Sequence, residues 1–177
     1  MKDIIDHPPA KSTQSNPRAA SVRLRTCTLS RAKGQRSHDY RLGKIPAYVM
    51  QSRMDLNRTL MELRPLSQVR AENIRLREQA GPQRKMKSNA AVVLSGVITF
   101  GHVAAADFET LTPEKQDEAF RALAEAIAAK LNTRLESLVV HLDESTIHAH
   151  FMLRAIMMRA QRSAIRSSGA RHQSFRI

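Results

Sequence analysis

Three histidines lie within the ten-residue segment HLDESTIHAH, at positions 141, 148 and 150. Residues two apart in a β-strand point to the same side, so His148 and His150 share one face. A tight turn over residues 143–146 would bring His141, on the preceding strand, next to this pair. Three converging imidazoles can hold a divalent cation such as Mn, Ni or Zn and leave positions open for substrate oxygens. The spacing favours a metal site for phosphoryl chemistry over three unrelated sheet histidines.

The composition favours a polyanionic partner. Lys and Arg number 29 against 16 Asp and Glu, which gives a net charge of +13. Such an excess is typical of nucleic-acid binding, with anionic membranes and ribosomal RNA as alternatives. The single cysteine, Cys27, rules out an intramolecular disulfide and fits a reducing cytoplasm. No apolar run reaches the roughly 18 residues that span a bilayer, so we expect a soluble, cytoplasmic protein.

Hydrophobic periodicity predicts an α/β (α+β) fold with a mainly antiparallel sheet. Alternating residues indicate a strand over 21–29, and the apolar run AAVVLSGVITF indicates a strand buried on both faces over 90–100. Thr112 and Pro113 start an amphipathic helix that ends near Asn132. Two further strands, over 135–142 and 147–156, carry the histidines and are joined by the short turn.

The rest of the chain is less regular. The basic segment 31–46 reads as a loop, and Asp55 as the cap of a helix that ends near Pro65. A second helix is expected over 67–79. We predict a flexible arm over residues 1–20, one domain over 21–156, and a basic, disordered tail over 157–177.

Three motifs resemble those of the Mob/Pre plasmid mobilisation relaxases. The string HLDESTIHAHF is similar to the family's H-x-D-E-x-x-P-H-x-H, and departs from it at Ile147, where the family has Pro. His38-Asp-Tyr-Arg41 resembles the family's His-Asn-x-Arg, and the segment SRMDLN over 52–57 resembles its Ser-Arg-x-x-Leu-Asn. The resemblance covers about residues 20–155 and implies the HUH-type nuclease fold, in which helices pack on an antiparallel sheet that carries a histidine cluster on adjacent strands.

The resemblance also implies a reaction. Relaxases of this family nick one DNA strand at a plasmid transfer origin and stay attached to its 5′ end. His141, His148 and His150 would hold a divalent metal, Mn or Mg. His38 is the leading nucleophile and would form a phosphoramidate, while Tyr40 is the rival and would form a phosphotyrosine.

Other motif residues have expected supporting roles. Glu144 would orient or deprotonate the nucleophile, or join the metal ligands, and Asp143 would brace a ligand imidazole or cap the turn. The candidates for DNA contact are Arg23, Arg25, Arg31, Lys33, Arg36, Arg41, Arg53 and Asn57.

The Arg/Ser-rich end of the chain raises another expectation. Family members continue well past the third motif, so we expect an incomplete relaxase domain, truncated or frameshifted, that has lost a homodimerisation region. An alternative function is then a noncatalytic, basic DNA-binding protein that recognises an origin or promoter. A third is a metal-dependent phosphoesterase for small substrates, which the charge disfavours.

Overall fold

A single antiparallel sheet organises the molecule. The structure, a computed structural model, describes residues 16–81 and 84–156, and the backbone of residues 173–176. In chain order the elements are β1 (Ala20–Thr28), α1 (Leu29–Asp39), a 3₁₀ helix (Gln51–Leu56), β2 (Arg58–Met61), α2 (Leu66–Gln79), β3 (Ala91–Phe100), α3 (His102–Glu109), α4 (Pro113–Lys130), β4 (Leu135–His141), β5 (His148–Arg154) and β6 (Gln173–Arg176). The strand order is β2-β4-β5-β3-β1-β6, and every neighbouring pair is antiparallel. The predicted fold class is confirmed.

Helices cover both faces of the sheet. On one face, Phe120 and Ala124 of α4 pack in a core cluster with Phe151 of β5. On the other, α1 and α2 contribute Ala32 and Val69 to a second cluster with Met152 and Cys27. Because successive residues of a strand point to opposite faces, His148 and His150 share the face of Met152, which is the face of α1. None of the helices in the described part of the chain has the length and apolar content to cross a membrane.

The elements with the strongest sequence signals form where predicted. The strand β3 is largely buried on both faces, as its apolar run indicates. The Thr112 side chain accepts a hydrogen bond from the Lys115 amide at 3.4 Å and caps α4, which has Pro113 in its first turn. The helix α2 also lies at its predicted position. These segments have apolar residues at the period of their own secondary structure.

The loop predicted for residues 31–46 is wrong, because α1 occupies most of it. The Thr28 side chain accepts from the Arg31 amide and caps this helix. Its buried positions are Ala32, Gln35 and Asp39, which have helical spacing. Two of these three are polar, so the segment lacks the apolar stripe by which an amphipathic helix is recognised.

The helix predicted after Asp55 is also wrong. Residues 51–56 form a 3₁₀ helix, and Arg58–Met61 pair with β4 as the strand β2. Leu60 packs in the cluster of α4, whereas Leu63 packs in that of α1 and α2. The two leucines therefore have helical spacing in sequence but lie on opposite faces of the sheet. Long-range pairing with β4 outweighs the local pattern.

The chain ends differ in part from the predictions. In the flexible arm, residues 1–15 lie outside the described residues, but the Pro17 carbonyl accepts from the amides of Val103 and Ala104, and Ala20 begins β1. In the tail, residues 157–172 and 177 lie outside them, but Gln173–Arg176 pair with β1 and so contradict disorder there. The short α3 was not predicted.

Gly96 of β3 lies opposite Phe151 of the neighbouring strand β5, and the Phe151 ring covers it. A Cβ atom at Gly96 would overlap Cζ of Phe151 and lie 2.8 Å from Cδ2 of Leu24. We expect Gly96→Ala to lower the free energy of unfolding by about 1–3 kcal/mol through overpacking, measured by urea denaturation. Gly34→Ala is the matched control, since a Cβ there meets nothing within 4 Å. It should stabilise α1 by up to about 1 kcal/mol. Equal effects of the two substitutions would contradict this account.

Candidate metal centre and nucleophile

Strand pairing brings the three predicted metal ligands together. His141 of β4 lies directly opposite His148 of β5, and His150 follows two residues later on the same face. Their ring centroids lie 5.3 Å apart for His141–His148, 5.0 Å for His141–His150 and 5.1 Å for His148–His150. Ile147 lies at the end of the turn between the strands, at the position where the family motif has Pro. Its side chain is buried in the core cluster of α4.

His38 joins these three rings from α1. Its ring centroid lies 5.6 Å from that of His141 and 5.1 Å from that of His150. Its Nε2 lies 3.8 Å from Oε1 of Glu144. The four rings are called the histidine cluster below. The leading candidate nucleophile and the candidate ligands thus lie at one place, although more than one hundred residues separate them in sequence.

The hydrogen bonds of the histidine cluster suit metal coordination. Nδ1 of His148 donates to the Thr146 carbonyl at 2.9 Å, and Nδ1 of His150 donates to Oδ1 of Asp39 at 2.8 Å. Each bond leaves a lone pair on Nε2, which is the form that binds a metal. His141 is fully buried, and its Nε2 has no hydrogen-bond partner among the described residues. A divalent cation fits this donor set.

Carboxylates add further donors near the same point. Donor atoms of His38, Asp39, His141 and His150 lie within 4.8 Å of one another, and a second such group comprises His141, Asp143 and Glu144. His141 belongs to both groups, so it is the central ligand candidate. His148 belongs to neither group, but its ring lies beside the rings of His141 and His150. Glu144 bridges the cluster, with Oε2 3.8 Å from Nε2 of His148.

Arg41 neutralises the buried carboxylates. It follows α1 in the left-handed conformation, with φ of 53°. Its guanidinium donates to both oxygens of Asp143, at 2.6 and 2.7 Å, and to Oε1 of Glu144 at 2.7 Å. The same group lies 2.7 Å from Nδ1 of His141. The side chains of Arg41 and Asp143 are 5% and 0% exposed. The sequence-based expectation that Arg41 contacts DNA does not fit a guanidinium saturated by internal partners.

Asn57 has an internal role as well. Its Oδ1 accepts a hydrogen bond from the Leu142 amide at 2.8 Å, and the Met50 amide donates to the Asp143 carbonyl at 2.7 Å. Burial raises the pKa of Asp143, but hydrogen bonds from Arg41 and Asn57 outweigh it and lower the pKa to about 2. Asn57 therefore fixes the turn that carries Asp143 and Glu144, and is not placed as a free DNA contact.

Tyr40 is oriented by a different part of the fold. Its hydroxyl accepts a hydrogen bond from the Leu63 amide at 3.0 Å, and its ring packs against the cluster of α1 and α2. Burial raises the pKa of this phenol, which makes it harder to ionise. Burial also lowers the pKa of His38, helped by His150, so His38 stays neutral with a lone pair available. The geometry therefore favours His38 over Tyr40 as a nucleophile.

The remaining candidate DNA contacts are solvent-exposed. Arg25 and Arg31 line an open cleft together with His38, His150 and Tyr48. Arg23 and Arg25 line an adjoining groove that also reaches His150. The exposed basic residues of this region, with Arg53 on the 3₁₀ helix, are Arg23, Arg25, Arg31, Lys33, Arg36 and Arg53.

Sequence reasoning missed two residues at the site. Asp39 and Gln35 are buried on α1, and both lie within hydrogen-bonding distance of Nδ1 of His150. Asp39 follows His38 directly in the first motif, but no role was predicted for it from the sequence. Gln35 lay in a segment read as a loop, and only the helix places it one turn from Asp39.

Comparisons with known proteins find the same fold in solved structures. Solved structures of the MobM relaxase domain (MOBV; Mob_Pre) share the fold. One, Mn-bound at pH 6.8 with plasmid pMV158 oriT DNA of 22 nucleotides and a 3′ thiophosphate, has a TM-score of 0.62 at 20% identity over 80% of this chain and 74% of that chain. Another, Mn-bound at pH 5.5 with 22-nucleotide oriT DNA, has a TM-score of 0.62 at 21% identity over 84% and 80%. No curated protein matches the sequence.

The sequence also matches a family. The profile of Mob_Pre, plasmid recombination enzyme, matches residues 21–174. The chain therefore belongs to the Mob_Pre family of plasmid recombination enzymes, as the three motifs indicate.

The pH dependence of stability follows from the buried histidines. Burial, together with His150, Arg41 and His148, lowers the pKa of His141 from 6.5 to about 2. The unfolded chain then binds more protons than the folded one between these values, so the stability present above pH 6.5 is lost as pH falls. We expect the metal-free protein to unfold at lower urea concentration at about pH 5 than at about pH 7.5. His141→Leu should flatten this slope, and the exposed His102→Gln should not. An equally steep slope in His141→Leu would contradict the assignment.

Loss of Arg41 should be costly, because it leaves Asp143 buried without a cation. We expect Arg41→Gln to lower the free energy of unfolding by about 3–5 kcal/mol, measured by urea denaturation of the metal-free protein. Arg53→Gln, at an exposed position, is the control and should change stability by less than about 0.5 kcal/mol. Comparable small effects of the two substitutions would show that Arg41 does not compensate the carboxylates.

Proposed function

We propose that this chain nicks one strand of DNA at a plasmid transfer origin and forms a covalent protein–DNA intermediate, for plasmid mobilisation or recombination. The observation that carries the proposal is the histidine cluster, in which a neutral imidazole from α1 lies beside three potential metal ligands. The membership in Mob_Pre and the fold shared with a Mn-bound, oriT-bound relaxase domain support it. The site of action is then the cytoplasm, where plasmid DNA resides.

His141, His148 and His150 would hold the metal. Three imidazole nitrogens suit Mn better than Mg, which prefers oxygen ligands. When bound, the metal polarises the scissile phosphate and offsets its developing charge. Nδ1 of His141 accepts a hydrogen bond from Arg41 at 2.7 Å, so the neutral ring carries its proton on Nε2 in the metal-free protein. Metal binding at Nε2 would require that proton to move to Nδ1 and the Arg41 contact to open, with Oδ1 of Asp143, 3.5 Å from Nδ1, as the acceptor.

His38 would attack phosphorus. A nitrogen–phosphorus bond forms and the bond from phosphorus to the 3′ oxygen breaks. The ring proton that His38 loses as the phosphoramidate forms balances the proton that the leaving 3′ oxygen takes up. Glu144, with Oε1 3.8 Å from Nε2 of His38, is placed to orient the ring or accept its proton. Arg41 donates to the same carboxylate oxygen and would hold Glu144 beside the ring. The phosphoramidate retains the energy for religation.

DNA would enter along the basic cleft. The exposed guanidinium groups of Arg23, Arg25 and Arg31 can pair with successive phosphates beside His38 and His150. Lys33, Arg36 and Arg53 would add sequence-independent attraction. Such contacts release counterions, so affinity should fall steeply with salt.

A nicking assay tests the proposal. We would incubate the full chain with a supercoiled plasmid that carries its origin and Mn²⁺, and measure open circles and SDS-resistant adducts. We expect both products with Mn²⁺ and neither with a chelator. His38→Ala should abolish them because the nucleophile is lost, whereas Tyr40→Phe should retain them.

Three outcomes would redirect the interpretation. Nicking that survives in His38→Ala but fails in Tyr40→Phe would move the nucleophile to Tyr40. Salt-sensitive DNA binding without any nick, unchanged in His141→Ala, would favour the noncatalytic DNA-binding function. Turnover of a small phosphoester while DNA is ignored would favour a phosphoesterase.

A further inference from the structure

A buried polar network behind His150 is not explained by the proposed reaction. Asp39, at the end of α1, is 4% exposed. Its Oδ1 lies 2.8 Å from Nδ1 of His150 and 2.7 Å from Nε2 of Gln35. Gln35 Nε2 lies 2.9 Å from the same Nδ1. The three polar groups thus meet at a single carboxylate oxygen.

Nδ1 of His150 has two competing neighbours, the Gln35 amide nitrogen, a donor at 2.9 Å, and Oδ1 of Asp39, an acceptor at 2.8 Å. The amide already donates to Oδ1 at 2.7 Å, whereas a lone pair on Nδ1 would face the anionic oxygen directly. The negative charge of Asp39 therefore favours a proton on Nδ1 that is donated to Asp39. This leaves Nε2 unprotonated before any metal arrives, which is the reverse of the proton position that an unconstrained imidazole prefers.

Gln35 holds the carboxylate in place. Its Oε1 accepts from Nη2 of Arg25 at 2.5 Å, while its Nε2 donates to Asp39. A cationic donor on one side and an anionic acceptor on the other allow only one orientation of the amide. Arg25 lies on the exposed side of β1 and lines the basic cleft, so the network runs from this cleft to His150.

We propose that Asp39 and Gln35 are positioning residues that pre-set His150 as a metal ligand, Asp39 by fixing the ring proton on Nδ1 and Gln35 by fixing Asp39. The inference rests on the proposed metal site. Asp39 stands where the family's first motif has Asn, which can accept the same hydrogen bond but has no charge. A carboxylate partner makes the ligand nitrogen more basic and strengthens metal binding.

The first test needs no metal. We would record ¹⁵N NMR spectra of the histidine side chains in the metal-free protein, with His150 assigned by His150→Gln. We expect the wild type to hold its proton on Nδ1, Asp39→Asn to keep it there in part, and Asp39→Ala to move it to Nε2. Ser37→Ala, at an exposed position of α1, is the control and should match the wild type. A wild-type ring with its proton on Nε2 would overturn the inference.

The second test measures Mn²⁺ affinity from the electron paramagnetic resonance of free Mn²⁺. We expect the Kd to rise about 10- to 100-fold in Asp39→Ala, with a smaller rise in Asp39→Asn and Gln35→Leu. Unchanged affinity in all three variants would overturn the inference. A wild type that keeps the proton on Nδ1 but does not bind Mn²⁺ would instead overturn the proposed metal site, while still supporting the orienting role of Asp39.

Discussion

The ion pair of Arg41 with Asp143 and Glu144 is the constraint on which the site depends. Two carboxylates and four imidazoles share a largely buried space, and without a cation Asp143 would be an uncompensated buried charge there. Arg41 supplies that cation from the end of α1, and a positive φ directs its side chain into the site. The ion pair therefore links α1, which carries His38, to the carboxylates of the β4–β5 turn.

Much of the fold could be predicted from the sequence, because the relevant signals are local. Three local patterns each predict the structure of the segment in which they occur. They are the run of β-branched residues in β3, the Thr112 cap of α4 and the alternation in β5. The histidine spacing predicted in the same way that the three rings lie together, since a turn between adjacent strands sets their proximity. The resemblance in three motifs added His38, which no local pattern connects to the others.

The remaining features depend on tertiary contacts. The helix α1 was missed because its buried side is polar and serves the site, with Gln35 and Asp39 where a core helix would have apolar residues. The strand β2 was read as a helix because Leu60 and Leu63 have helical spacing, although they pack on opposite faces. Arg41 and Asn57 were predicted to contact DNA, since an arginine or asparagine in a sequence does not show which internal partners it has.

The register of β4 against β5 has a consequence for how the molecule assembles. His141 faces His148 in one alignment only, and a slip by one residue would turn one strand's histidines to the opposite side. The donors also come from α1, which is distant in the chain, so they cannot assemble until long-range pairing is complete. A cation that binds this set favours the correctly aligned sheet over slipped forms. Metal uptake would then act as a checkpoint on strand alignment as well as a step towards chemistry.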